Sequence, residues 1–305
     1  MFDSLNQSPI PDWQKPKVIL TDPAIWREYR TSDCDLRPVY SDLLAAMDAL
    51  GIECDLLTSA DDPLDIWIRD WGFVERSYFR YKPTYAKGVY PHNLVEKARR
   101  MFDQRVACSR PTLPLILDGG NLIHNTRTAI LTEKVLRDNR TKDRAEVERT
   151  ILGLGFEQVV FIPVEPEDNV GHADGILKFV SADLLFVNDY TGSHFADYKK
   201  RLMHILENAG LGARIVPFPW YSTTKRRGTI WSAEGCYINF ILTQHGIVYP
   251  TFNHPMDEQV AKVLAENTVL PSRPVFASPL AQEGGVLNCI TLNVTRTKLD
   301  DTAND

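Results

Sequence analysis

Apolar positions along the chain alternate between the period of a strand and the period of a helix. Over 39–50 they recur at helical spacing, and Gly51 ends that segment. Short apolar runs on either side of this helix predict strands at 18–20 and 52–57. A further run, 65–70, predicts a strand that ends in an acidic motif.

The same alternation continues to the end of the chain. It predicts helices over 142–154, 197–209 and 256–266. The remaining runs predict two hairpins, 175–180 with 184–188 and 237–242 with 246–250, and single strands at 158–163, 213–217, 274–276 and 287–294. A cycle of two strands, a helix and a strand therefore recurs at roughly 60 residues, about five times over.

This rhythm predicts an α/β protein. Radially repeated units commonly close into a propeller-like ring, with loops converging on a central channel. The same periodicity also allows a doubly wound α/β protein of two domains. No stretch has the composition of a linker, and the pattern by itself leaves both architectures open.

Composition and charge limit the classes of molecule that this protein is expected to bind. The net charge of −6 argues against nucleic acid or an anionic membrane as the main partner and fits a small cationic substrate. The N-terminus lacks the basic and apolar regions of a signal peptide, and no apolar run approaches the ~18 residues of a membrane-spanning helix. The five cysteines are widely spaced, so we expect reduced thiols and a cytoplasmic protein.

Four short motifs hold the residues best suited to chemistry. They are WIRDWG at 67–72, LDGGN at 117–121, GHADG at 171–175 and EGGVLNCIT at 283–291. A cysteine supplies a nucleophile, a histidine moves protons, and paired carboxylates bind a cation. The cation that suits two planar carboxylates best is a guanidinium. The motifs therefore predict one site assembled from several loops.

The spacing of His172 and Asp174 allows two interpretations. On an extended segment, residues two apart point to the same face, as two reacting groups in one pocket require. Two metal ligands would have the same spacing, but no further histidine or cysteine at ligand spacing completes a set. We therefore expect no metal and no cofactor.

The order and spacing of the four motifs resemble the guanidine-modifying superfamily, most closely its agmatine deiminase and bacterial peptidylarginine deiminase branch. The resemblance covers 64–294 and is best over 236–291, which holds CYINF, GIVYP and the cysteine loop. It implies a five-bladed α/β propeller of ββαβ units, with 1–305 as a single domain. It also gives grounds to expect a homodimer.

The resemblance implies a role for each matched residue. Cys289 matches the nucleophile, His172 the general acid and base, and Asp70 and Asp174 the carboxylates that hold the guanidinium. Asp118 stands where agmatine deiminases usually have a glutamate, and there it contacts substrate, orients a partner or caps a turn.

Other matched positions have a structural alternative. Trp67 forms an apolar wall for the substrate or packs in the core, Asn239 hydrogen-bonds into the site, and Arg69 pairs with a carboxylate. The basic run 225–228 is interpreted as a solvated loop, with a substrate-facing role as the alternative. The cysteines expected to be structural are Cys34, Cys54, Cys108 and Cys236.

Three departures from the family bear on specificity. The cysteine loop usually reads Gly-Gly-Gly-Asn-Ile-His-Cys, whereas 283–289 read EGGVLNC. The family's Arg-Asp-x-Gly-Pro turn has become RDWGF at 69–73. The change to aspartate at 118 shortens that side chain by one methylene.

The resemblance implies hydrolytic deimination of a guanidino substrate through a covalent thiouronium on Cys289, with release of ammonia. Agmatine would give N-carbamoylputrescine, and an arginine derivative would give its citrulline form. The alternatives are an amidinotransferase, a catalytically silent guanidino-binding relative and a cysteine protease or amidase. Arg226, Arg227 and Arg273 are candidates for the rim of a pocket that accepts a substrate carboxylate.

Overall fold

The computed structural model describes residues 9–21, 35–57, 66–71, 73–74, 77–81, 92–105, 111–168, 170–228 and 230–295. The predictions made for Cys34, Asp65, Gly72 and Cys108 lie outside these residues.

The strands of the described residues are short. They are β1 Lys17–Thr21, β2 Glu53–Leu57, β3 Phe73–Val74, β4 Ser77–Arg80, β5 Thr112–Ile116, β6 Ile123–His124, β7 Thr128–Thr132, β8 Gln158–Ile162, β9 Leu177–Ser181, β10 Leu184–Asn188, β11 Arg214–Phe218, β12 Arg226–Arg227, β13 Ile230–Trp231, β14 Ile241–Leu242, β15 Ile247–Thr251, β16 Ser272–Phe276 and β17 Leu292–Val294. The α-helices are α1 Arg37–Asp48, α2 Ile68–Trp71, α3 His92–Arg105, α4 Lys134–Asp138, α5 Arg144–Leu152, α6 Ala196–Asn208, α7 Met256–Asn267 and α8 Ser278–Ala281.

Five three-stranded sheets in the described residues share one design. Their strand orders are β17-β1-β2, β3-β4-β5, β6-β7-β8, β9-β10-β11 and β14-β15-β16. In each, the central strand pairs antiparallel with one neighbour and parallel with the other. Parallel neighbours need a crossover, and at least one helix supplies it in every case. The α/β class and the predicted cycle of two strands, a helix and a strand are confirmed.

The sheet β17-β1-β2 joins the two ends of the described chain. Val18 on β1 pairs with Asn293 on β17, and every residue of β1 is buried. Because β17 follows directly on the cysteine loop, this pairing ties that loop to the first strand.

Local sequence explains the helices. The Asp143 carboxylate caps α5 by accepting the Glu146 backbone N–H at 2.6 Å. Along α6, the buried residues Tyr198, Leu202 and Leu206 recur every four residues and form one apolar face. The predicted helices over 142–154, 197–209 and 256–266 correspond to α5, α6 and α7.

Three predicted strands are wrong over part of their length, and each holds a site motif. The strand predicted at 65–70 is replaced from residue 68 onward by α2. The strand predicted at 237–242 is reduced to β14, and the one at 287–294 is reduced to β17.

Turn hydrogen bonds explain these differences. The Cys289 backbone N–H donates to the Val286 carbonyl at 3.2 Å, and the Asn239 backbone N–H donates to the Cys236 carbonyl at 3.4 Å. Buried turns and buried strands are equally apolar, so the hydrophobic pattern could not separate them.

The largest group of packed, buried apolar side chains runs from β1 and α1 to β15 and α7. Val286, Leu287 and Ile290 belong to it and are fully buried. The cysteine loop is therefore anchored in the core on both sides of Cys289. Among the described residues, no helix combines the length and apolarity needed to cross a membrane.

Candidate active site

Gly119 permits a close approach between two motifs. A Cβ at this position would collide with the Arg69 backbone carbonyl. Only a residue without a side chain therefore lets the 117–121 turn lie against α2, which carries Asp70.

Gly120 marks the point where the charged groups converge. A Cβ there would lie 2.8 Å from His172 Nδ1, 2.9 Å from Asp70 Oδ1 and 3.3 Å from Asp174 Oδ1. One imidazole and two carboxylates, from the motifs at 67–72 and 171–175, thus meet over the backbone of a glycine from a third motif, 117–121. This is the convergence that the motif spacing predicted.

His172 is held between carboxylates. Its Nε2 lies 3.0 Å from Asp118 Oδ2, and its Nδ1 lies 3.4 Å from Asp70 Oδ1. Burial alone would lower the pKa of His172, but Asp70, Asp118 and Asp174 together raise it to about 9. The ring is therefore an imidazolium at neutral pH, with a donor facing each of its two contacting carboxylates.

Asp118 lies behind His172 and does not line the substrate-sized cavity described below. It is fully buried, and the Oδ2 that contacts His172 also accepts a hydrogen bond from Lys134 Nζ at 2.8 Å. Burial alone would raise the pKa of Asp118, but the His172 and Lys134 contacts hold it below its ordinary value. The contact with His172 favours the alternative in which Asp118 orients a partner.

Asp174 is placed by a turn. Its backbone lies in a 3-10 turn, Ala173–Gly175, which follows an extended His172. The prediction of an extended segment through both residues is wrong from Ala173 onward. Because both side chains nevertheless converge over Gly120, the turn achieves what strand alternation was expected to do.

The Cys289 thiol lies on the other side of Asp174. Its Sγ is 3.8 Å from Asp174 Oδ2 and 3.4 Å from Asn239 Oδ1. Burial raises the pKa of Cys289 well above its ordinary value, and the carboxylates of Asp174 and Asp70 raise it further. In the substrate-free protein at neutral pH, the sulfur is therefore a thiol and not a thiolate.

Asn239 enters the site as the sequence predicted. Besides its contact with the Cys289 sulfur, its Oδ1 accepts the Asn288 backbone N–H at 3.1 Å. Its Nδ2 donates to the Asp174 carbonyl at 3.3 Å. Asn239 thus joins the cysteine loop to the turn that carries Asp174.

Two residues of the site were missed at the sequence level. Asn288 was noted only as a departure from the family, yet its Nδ2 donates to Asp174 Oδ2 at 2.8 Å. Its Oδ1 accepts from Lys178 Nζ at 2.7 Å and from Arg69 Nη2 at 3.1 Å. The signal for Lys178 was a lysine inside the apolar strand β9, where an unpaired charge is costly.

A cavity of about 130 Å³ opens beside these groups. His172, Asp174, Asn239 and Cys289 line it, whereas Asp70 contacts His172 but is not among the lining residues. The described lining residues include no lysine or arginine, and they include the carboxylates of Glu165, Glu167, Asp168, Asp174 and Glu234. The aromatic rings of Trp220, Tyr221 and Trp231 form much of the remaining wall. A cation is the ligand that this lining favours.

The three candidate rim arginines do not line the cavity. Arg227 pairs with Glu283, Arg226 lies 5.6 Å from the centre of the Trp231 ring, and Arg273 is exposed on β16. The basic run 225–228 is therefore the exposed side of the β12–β13 hairpin, as its interpretation as a solvated loop indicated.

The remaining candidates have structural positions. Trp67 packs against Gly285, where a Cβ would lie 2.5 Å from its ring, and it does not line the cavity. Arg69 donates to Asn293 Oδ1 at 2.7 Å, in addition to its contact with Asn288. Cys236 differs from its expected structural role in that it lines the cavity. Within the described ranges, no group of three or more His, Cys, Asp and Glu could hold a metal ion.

Fold and site together define an α/β protein in which a thiol, an imidazole and acidic side chains meet at one cavity. Residues 41–294 match the family model described as Porphyromonas-type peptidyl-arginine deiminase, and the chain belongs to this family. The resemblance indicated by the four motifs is confirmed.

Known proteins show the same relationship. A protein of Pseudomonas aeruginosa named agmatine deiminase is 25% identical over 266 residues, which cover 76% of this chain and 70% of that protein. The structure of a putative arginine deiminase from Porphyromonas gingivalis superposes with a TM-score of 0.75 at 17% identity and covers 95% of this chain and 99% of that chain. The structure of C. jejuni agmatine deiminase superposes with a TM-score of 0.71 at 17% identity and covers 97% of this chain and 98% of that chain. The solved structures establish a shared fold.

Proposed function

We propose that this protein hydrolyses the guanidino group of agmatine to N-carbamoylputrescine and ammonia. The observation that carries the proposal is the convergence of Asp70, His172 and Asp174 over Gly120, with the Cys289 sulfur beside Asp174. Membership of a deiminase family and the names of the relatives support the same reaction.

In the first step, the two carboxylates hold the substrate. Asp70 and Asp174 each accept hydrogen bonds from the guanidinium, which fixes its plane and places its carbon against the Cys289 sulfur. The bound cation offsets the negative charges that raise the pKa of Cys289. Substrate binding therefore favours loss of the thiol proton to solvent and formation of the nucleophilic thiolate.

Attack forms the C–S bond and gives a neutral tetrahedral adduct. The His172 imidazolium donates its proton to the departing nitrogen, the C–N bond breaks, and ammonia leaves. The product of this half-reaction is a cationic S-alkylthiouronium on Cys289, which Asp70 and Asp174 still face. His172 is now neutral and able to act as a base.

Water completes the reaction. Neutral His172 takes a proton from water as the oxygen bonds to the thiouronium carbon. The C–S bond then breaks, the sulfur leaves as thiolate, and the ureido product forms after losing one proton. The sulfur regains a proton from solvent, so the net change is agmatine plus water to N-carbamoylputrescine plus ammonia.

The acidic lining of the cavity supports agmatine as the substrate. Agmatine carries a second cation, and the cavity offers Glu234, which is buried and lies 2.6 Å from Lys225 Nζ. Free arginine would bring its carboxylate into a cavity whose described lining contains five acidic side chains and no lysine or arginine. Four of the five are carboxylates at pH 7, since burial raises the pKa of Glu165 to about 8. Electrostatics thus disfavour arginine.

The five three-stranded sheets also support a proposal about the overall architecture. We propose that the five three-stranded sheets are blades of one ring that spans 1–305 as a single domain. Pairing of the first strand with the last, Val18 with Asn293, supports closure. The homodimer and the cytoplasmic location stay predictions from resemblance and composition.

Ammonia release tests the function. Agmatine, free arginine and a blocked arginine peptide are each given to the wild-type protein and to Cys289→Ala. We expect cysteine-dependent release from agmatine and little from the other two. Faster ammonia release from arginine or from the peptide would show that this compound, and not agmatine, is the preferred substrate. Absence of release from all three would contradict the deiminase function.

A further inference from the structure

Lys178 is a buried cation that has no ion-pair partner among the residues that the structure describes. Its side chain is 3% exposed, and its Nζ donates to the Phe240 carbonyl at 2.7 Å and to Asn288 Oδ1 at 2.7 Å. In the described part of the chain, no carboxylate lies within ion-pair distance of it. Burying a charge in this way is costly, so its presence requires a compensating interaction at longer range.

The Asn288 amide connects Lys178 to the site. Its oxygen faces Lys178 and Arg69, and this fixes the amide orientation, so its Nδ2 donates to Asp174 Oδ2 at 2.8 Å. The same Asp174 oxygen lies 3.8 Å from the Cys289 sulfur. A single side chain, Asn288, therefore separates the Lys178 charge from the Asp174 carboxylate, and that carboxylate in turn contacts the sulfur.

The charges behind Asn288 do not balance in the thiol form. A small cavity of about 50 Å³ there is lined by the cations Lys15, Arg69 and Lys178 and by the carboxylates of Asp12 and Asp174. His124 also lines it, but burial lowers the pKa of His124 to about 4, so the ring is neutral. Among the groups that line this cavity, one positive charge remains, and a thiolate next to Asn288 would offset it. Asp70 lies outside this cavity and is not part of the count.

We propose that Lys178 is a positioning residue of the reaction: acting through the Asn288 amide, it holds Asp174 in place and stabilises the Cys289 thiolate. This inference rests on the proposed role of Cys289 as the nucleophile. The charged groups that face the sulfur are Asp174 and Asp70, and both oppose the thiolate, while the nearby Cys236 stays a neutral thiol because burial raises its pKa. Lys178 thus supplies the attraction that these groups lack.

Alkylation of Cys289 tests the inference without requiring turnover. Iodoacetamide reacts with the thiolate, and mass analysis of the Cys289 peptide separates this reaction from alkylation of Cys236. At pH 7 we expect Lys178→Met to slow alkylation of Cys289 by about tenfold, because the thiolate loses a nearby cation. Lys178→Arg should retain most of the wild-type rate.

The pH dependence of the alkylation rate distinguishes an electrostatic role of Lys178 from a purely structural one. Burial lowers the pKa of Lys178 to about 8, although Asp12 opposes the shift. The wild-type protein therefore loses this charge in alkaline solution, and the ratio of wild-type to Lys178→Met rates should approach one near pH 10. Lys199→Met is the matched control, since Lys199 pairs with Asp189 at the surface.

The outcomes are decisive. Equal rates at pH 7 in a folded Lys178→Met protein, or the same slowing at pH 7 and pH 10, would overturn the inference. If Lys178→Met does not fold, Asn288→Ser replaces it, and we expect at least a tenfold increase in KM for agmatine as Asp174 loses its donor. An unchanged KM there would also overturn it. A wild-type protein whose Cys289 is alkylated as expected, but which releases no ammonia, would fail only the proposed function.

Discussion

At the scale of single residues, the site depends on how two donors share one oxygen. His172 and Lys134 both contact Asp118 Oδ2, and Lys134 also contacts Asp138 at 2.5 Å. The Lys134 cation keeps Asp118 ionised, and it also limits how strongly Asp118 can raise the pKa of His172. The balance matters because His172 must first donate a proton and then accept one.

Lys134→Met should therefore shift the pH profile. Without the cation, the pKa of His172 rises above about 9, and the neutral base needed in the second half-reaction becomes scarcer at pH 7. We expect kcat at pH 7 to fall about tenfold and the optimum to become more alkaline. Profiles of kcat against pH measure this, with Lys142→Met, which removes a partly exposed pair with Glu146, as the control. An unshifted profile would exclude this role for Lys134.

Gly120 gives a second prediction at this scale. The methyl group of Gly120→Ala would lie 2.8 to 3.3 Å from the imidazole and the two carboxylates and would displace the guanidinium. We expect kcat/KM for agmatine to fall by a factor of about 100 or more, in line with the cost of misplacing reacting groups. Gly153→Ala, at a helix end with φ of −60°, should be nearly neutral. Activity within tenfold of wild type in Gly120→Ala would show that substrate binds elsewhere.

At the scale of elements, the β12–β13 hairpin forms one wall of the cavity. Its Ile230 and Trp231 side chains line the cavity, although they are 44% and 37% exposed. Lys225, which precedes β12, places its ammonium on the buried Glu234 carboxylate. A substrate with a second cation would compete with Lys225 for this carboxylate.

Glu234→Gln tests the cavity wall. We expect KM for agmatine to rise about tenfold, while KM for butylguanidine, which lacks the second amine, changes little. Lys225→Met should have the opposite effect and lower KM for agmatine. Glu157→Gln, which removes an exposed pair with Arg127, is the control. A parallel change for both substrates would mean that Glu234 does not select the second cation.

Some of these elements could be predicted from the sequence, and others could not. The helix α6 follows from its one regular apolar face, and the β9–β10 hairpin follows from two short, continuously apolar runs that are buried on both faces. The segments around Asp70, Asn239 and Cys289 were predicted as strands but form turns or a short helix. In these segments the backbone turns so that the side chains face the site, which the alternation of a strand would not allow. The pattern of apolar residues does not reveal such turns.

The residues of the site also divide into those that could be predicted from the sequence and those that could not. Cys289, His172, Asp70 and Asp174 were predictable because their motifs carry chemistry that a core does not need. Asn288 and Lys178 were not, since an amide and a lysine acquire their roles only from neighbours 110 residues apart in sequence. For Asp118 the sequence left several roles open, and the contact with His172 is visible only in the structure.

At the scale of the whole molecule, the site links separate sheets. Asp70 precedes one three-stranded sheet, Asp118 lies between two, Asp174 precedes a third, and Cys289 precedes β17. Ionic contacts in the site therefore contribute to the stability of the whole fold. Their contribution depends on pH, because His172 titrates differently in the folded and unfolded chain.

The sign of this dependence follows from the pKa of His172, which folding raises from 6.5 to about 9. The contribution is complete below about pH 6.5 and is lost as pH rises through about 9. The free energy of unfolding of wild type minus that of His172→Gln should therefore decrease by about 3 kcal/mol between pH 6 and pH 10. Urea unfolding at several pH values measures it. A difference independent of pH would mean that His172 is not charged in the folded protein.

Acid quenching during turnover of agmatine, followed by mass analysis of the Cys289 peptide, tests the central claim most directly. The account predicts that this peptide gains the mass of agmatine less one ammonia, and that Cys289→Ser shows neither the adduct nor ammonia release. Turnover of agmatine by Cys289→Ser, or an adduct on another residue, would contradict the account.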